Sequence, residues 1–130
     1  MKYYFTTTLK EASFAESKER VIEELKKEGF GVLTQIDIKS TFKKKLDVDF
    51  RPYEILGACN PNYAYKALSN EEKIGLMLPC NVVLEENKDG NIEVSAIDPI
   101  ASMGAVENEN LGEIAQEVQQ KLKKVIENLG

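Results

Sequence analysis

The last twenty residues constrain this chain most. Leu111, Ile114, Ala115, Val118, Leu122, Val125, Ile126 and Leu129 recur every three or four positions, and Glu117, Gln119, Gln120, Lys123 and Lys124 fall between them. That spacing writes a helix with a broad apolar stripe on one side and a charged face on the other. Such a stripe is stable only when another layer of structure covers it, so the rest of the chain must provide one. Asn110, with Glu113 three residues later, reads as the start of this helix.

The covering layer reads as a sheet. Lys2 to Thr8 is rich in aromatic and β-branched residues and predicts a first strand. Ser13 and Glu16 form a capping box that opens a helix over 13–28, with Phe14, Val21, Ile22 and Leu25 on its inner face and Gly29 at its left-handed stop. Phe30 to Ile38 carries no charge before Asp37, which predicts a mostly buried second strand. A short helix capped by Ser40 follows, its narrow inner face made by Phe42 and Leu46, and 47–52 is an irregular connection. Tyr53 to Cys59 predicts a third strand, and Asn60-Pro61 starts a helix over 61–68 with Asn as cap and Pro in the first turn. Cys80 to Glu86 and Asn91 to Ile97 are two strands joined as a hairpin by Asn87-Lys88-Asp89-Gly90. Ile100 to Glu109 reads as irregular. The order predicts an α+β fold of two layers, with helices packed on one face of a mixed, mainly antiparallel sheet.

Composition narrows the functional classes. At 130 residues with 42% hydrophobic and 30% charged residues, the chain is expected to form a single domain, 1–130, with a core of its own. The net charge of -5 provides no positive field for phosphate backbones or anionic lipid, so neither nucleic acid nor a membrane surface is an expected partner. Lys43-Lys44-Lys45 is the local exception and reads as a solvated face. No run approaches the ~18 consecutive apolar residues of a membrane span, and the start Met1-Lys2-Tyr3-Tyr4 lacks a signal-peptide core, so a cytoplasmic location is expected. Two cysteines in that setting are expected to be free thiols.

The chain has no histidine, which removes Ser-His-Asp and Cys-His constellations within one chain, and it has no Walker loop or Gly-x-Gly-x-x-Gly run. The pairs Glu71-Glu72 and Glu85-Glu86 are sequence neighbours whose side chains diverge, and they read as solubility charges. The unusual feature is a repeated element: Ala58-Cys59-Asn60-Pro61 and Pro79-Cys80-Asn81-Val82, each a Cys-Asn pair beside a proline at a strand end. Cys59 precedes a helix amino terminus, where free N–H groups and the helix dipole favour the thiolate. Cys59, Asn60, Cys80 and Asn81 are therefore the candidate ligand-binding residues for a small molecule. Asp98, in Asp98-Pro99 after the hairpin, either joins them or starts a turn.

Three readings of this element stand side by side. Both cysteines can be buried small hydrophobes, with Asn60 capping a helix and Asn81 bonding to a turn. They can form a thiol-based ligand or redox site. They can also contribute to a metal site, although two thiolates without histidine leave a zinc shell to be completed by carboxylates, water or a second chain. Met103-Gly104 is either a lip over a pocket or a loose loop. If the third and fourth strands run antiparallel, the two cysteines share a sheet end; if parallel, they lie at opposite ends.

The runs Tyr53-Glu54-Ile55-Leu56-Gly57-Ala58-Cys59-Asn60-Pro61 and Gly75-Leu76-Met77-Leu78-Pro79-Cys80-Asn81-Val82-Val83, with Lys44-Lys45-Leu46 before and Asp98-Pro99 after, resemble the bacterial and archaeal domain-of-unknown-function family 302. The resemblance covers nearly the whole chain. It implies a two-layer α/β fold with an antiparallel sheet, similar to the single repeat of TATA-binding-protein-like folds, and a homodimer. It implies no reaction, cofactor or catalytic residue, and the sheet topology does not import DNA binding.

Overall fold

The computed structural model describes residues 2–130. Five strands, β1 (Tyr4–Leu9), β2 (Gly31–Asp37), β3 (Tyr53–Cys59), β4 (Cys80–Glu86) and β5 (Ile92–Ile97), form one sheet in the order β1-β5-β4-β3-β2. Each neighbouring pair is antiparallel, so the sheet is not mixed. The helices are α1 (Phe14–Lys27), α2 (Ile38–Leu46), α3 (Pro61–Asn70), α4 (Pro99–Ser102) and α5 (Glu109–Leu129), with a 3-10 helix at Glu72–Met77.

Alternation along the strands decides which face is covered. Val82, Leu84, Ile92, Val94 and Ala96 point to one side and are almost fully buried, together with Leu56 and Ala58 of β3. The apolar stripe of α5 lies on that side, against β1, β5, α1, α3 and α4. All eight stripe residues named from the sequence are buried there. Among them, Leu122 and Val125 are 0% exposed.

Several local expectations change. β2 is an edge strand with most of its residues exposed, and a register shift between Val32 and Thr34 turns Leu33 outward. Asp37 rather than Ser40 caps α2: its carboxylate accepts from the Ser40 N–H. This bond holds the Asp37 carboxyl below its ordinary range. Leu46 is exposed, so α2 lacks the expected two-residue inner face; Phe42 instead packs edge-on against Phe50, which meets Tyr53. At α1 the Ser13 hydroxyl accepts from the Glu16 N–H as expected, but the Glu16 carboxylate accepts from that hydroxyl instead of from a backbone N–H. Helix α5 begins two residues early because Asn108, not Asn110, caps it. The segment expected to be irregular contains α4, capped by Asp98.

Candidate functional site

Antiparallel pairing of β3 with β4 sets Ala58 opposite Cys80 and Gly57 opposite Asn81. The end of one strand and the start of the next therefore share a sheet edge, and Cys59 and Cys80 come to the wall of one cavity. Gly57 permits this closure: a Cβ there would sit 2.7 Å from Pro79 Cγ and would collide with Thr34 Oγ1. The cavity, about 30 Å³, lies between the sheet end and helices α3 and α5, and Asn60, Tyr63, Pro79, Met103 and Ile114 also line it. That volume admits one or two water molecules, not an organic ligand.

The two thiols differ in environment. Cys59 is partly exposed, and Cys80 is buried. Desolvation, with a smaller contribution from the nearby Cys59 charge, pushes the Cys80 thiol up to about 11. Cys80 is therefore a neutral thiol near pH 7, and Cys59 is the one solvent can reach.

Asn60 joins the site in an unforeseen way. It occupies the cap position of α3, but its side chain makes no capping bond. Its Nδ2 donates to the Glu28 carbonyl at 3.1 Å, tying the start of α3 to the end of α1. Gly29, at φ +87, lets the chain pass this close: a Cβ there would stand 3.0 Å from Asn60 Nδ2. Asn60 and Tyr63 form a partition, because both also line an open cleft of about 950 Å³ bordered by Lys27, Lys66 and Lys121.

Asn81 and Asp98 stand elsewhere. Asn81 is exposed on the sheet face opposite α5, near Tyr4, Tyr53, Val83 and Ser95. Asp98 follows β5, where its Oδ1 accepts from the Ile100 N–H and from Gln119 Nε2, linking α4 to α5. Cys59, Asn60 and Cys80 thus line the cavity, and Asn81 and Asp98 do not. Among the described residues no three His, Cys, Asp or Glu side chains cluster to hold a metal ion. No helix among them is long and apolar enough to cross a membrane.

The family described as Domain of unknown function DUF302 matches the chain over residues 5–129. The chain belongs to this family. Its architecture is similar to the crystal structure of an uncharacterized conserved DUF302 protein from Bacillus stearothermophilus, with a TM-score of 0.91 and 29% identity over the full length of both chains. No curated protein matches it.

In this DUF302 chain the residues that sequence reasoning passed over come from separate helices. Tyr63 reads as an ordinary apolar position of α3, yet it is half of the partition between cavity and cleft. Met103 follows α4 and is buried against the cavity, where a loose loop was the plainer expectation. Lys27, Lys66 and Lys121 belong to three helices, and no local pattern signals that they share a cleft.

Proposed function

We propose that this DUF302 chain is a binding domain for a thiol-seeking ligand, with Cys59 as the accessible thiol, Cys80 as a second thiol behind it and Asn60 holding the corner rigid. One observation carries the reading: the antiparallel β3–β4 register brings both cysteines to the wall of a single cavity that adjoins an open cleft. The partial exposure of Cys59 gives access, and the cavity is too small for more than the reacting atom of the ligand. Without histidine, no neighbouring imidazole exists to activate Cys59 for acyl transfer, which favours binding over catalysis.

Native mass spectrometry with phenylmercury acetate tests this reading. One adduct per folded chain is expected, and Cys59→Ser should abolish it. Uptake only after unfolding would overturn the proposal.

A second reading rests on a different surface. Among the described residues, the sheet face opposite α5 has no helix over its centre and carries Tyr4, Tyr53, Ile55, Val83 and Ile97, each only half buried. A second copy of the chain, related by a two-fold axis through β4, would cover this face and give the homodimer. Light scattering at micromolar concentration should show twice the chain mass, and Val83→Glu at the centre should halve it. A wild-type monomer would remove the dimer.

A further inference from the structure

We infer that the groove on the sheet face opposite α5 binds a small arylalkylamine, with Glu93 taking the ammonium group and tyrosine rings walling the body. This site is separate from the thiol corner and goes beyond the reading of Cys59. Antiparallel register builds it in rows, because side chains two apart along a strand share a face. One row sets Tyr53 opposite Glu85 and Glu85 opposite Glu93; the next sets Ile55 opposite Val83 and Val83 opposite Ser95. Toward the other end Tyr4 stands opposite Ile97. The groove over these rows measures about 340 Å³, and Tyr3, Tyr4 and Tyr53 are among its lining residues. That volume lies within the range of small-molecule sites, ~300–1,000 Å³.

Charge gives the guest its sign. Glu85 and Glu93 line the groove, and no Lys or Arg does. Like charges directly opposite on neighbouring strands are destabilising. Arg51 relieves only one of them: its Nη2 and Nε donate to Glu85 Oε1 at 2.9 and 3.1 Å, while the guanidinium lies over the Phe50 and Tyr53 rings. Among the described residues, Glu93 takes part in no ion pair. An ammonium group beside Glu93 would give that carboxylate a charged hydrogen-bond partner and offset the repulsion.

Length and polarity define the rest of the guest. Glu93 and Ile97 are four residues apart on β5, so ~13 Å separates the carboxylate end of the groove from the end at Tyr4. Val83 and Ile97, both half-buried, give an apolar floor between them. The Tyr3 and Tyr4 rings meet edge to face with centroids 5.1 Å apart, and a guest ring extends such a cluster. Lys2 Nζ stands 5.9 Å from the Tyr4 centroid, so the cationic end of a guest is drawn to Glu93 and its ring to the tyrosines. An ammonium joined by a short chain to an aromatic ring meets these conditions.

The test is a titration of the isotope-labelled full chain with phenylpropylamine, followed by amide chemical shifts. Phenylpropionate, similar in length and opposite in charge, is the control. Saturable shifts at Val83, Glu93, Ser95 and Ile97 are expected with the amine and none with the carboxylate. Glu93→Gln should keep the fold by circular dichroism, raise the unfolding midpoint by removing the repulsion, and weaken amine binding about tenfold or more, the scale of one charged hydrogen bond. Equal binding of phenylpropionate, an unchanged affinity in Glu93→Gln, or shifts confined to another surface would each overturn the inference. A particle of twice the chain mass whose shifts on this face ignore the amine would give the face to a second copy and overturn it as well. Labelling of Cys59 is read apart from these shifts, so the thiol reading stands or falls on its own.

Discussion

At the scale of single residues, burial sorts two similar Cys-Asn elements into different roles. Cys80 faces the helices and is buried, whereas Cys59 ends β3 and is partly exposed, a difference no reading of the flanking residues reveals. Its consequence is a pH dependence. The folded Cys80 thiol is raised from an ordinary 9.0 to about 11, so the unfolded chain loses this proton first as pH rises. The contribution of Cys80 is unchanged below about pH 9, and stability then falls by roughly 1.4 kcal/mol per pH unit until about pH 11. Urea unfolding between pH 8 and 11 should show this slope, and Cys80→Ala should remove it. Asn60 departs further from expectation. The Asn-Pro pair correctly marks the start of α3, but the amide bonds to Glu28 instead of its own helix. Asn60→Ala leaves that carbonyl without its donor and should cost about 1–2 kcal/mol, measured by the same unfolding experiment.

At the scale of elements, periodicity was legible where an element has one covered face and misleading where it does not. Helix α5 was readable because its stripe is long and its partner layer continuous. Leu122→Ala, at its fully buried centre, should therefore destabilise the chain by about 2–5 kcal/mol. Strand β2 was misread because an uncharged run fits both a buried strand and an exposed edge, and only the strand order distinguishes them. Caps shifted by two or three residues because Asp37 and Ser40, like Asn108 and Asn110, are alternative caps whose competition is decided by packing. Helix α1 holds a further surprise: the Ser17 hydroxyl is fully buried and has no hydrogen-bond partner among the described residues. Ser17→Ala removes that unsatisfied group and should raise stability by about 1 kcal/mol, visible as a higher unfolding midpoint.

At the scale of the molecule, the helices layer on one face of the sheet, and the end of β3 and the start of β4 meet at one cavity lined by Cys59 and Cys80. The layering followed from the α5 stripe and the hairpin; the strand order, which creates the cysteine corner, required structure, because alternation says which face a residue joins but not which strand lies beside it. Membership of the DUF302 family agrees with that layering and assigns no activity. The proposed function therefore depends on the corner itself, with Cys59 open to solvent and Cys80 shielded behind it. Site-resolved alkylation of the native chain with iodoacetamide, read by peptide mass mapping, tests this most directly. A single label on Cys59, with Cys80 modified only after unfolding, is the predicted result. Labelling of Cys80 first, or of neither thiol until the chain unfolds, would contradict it.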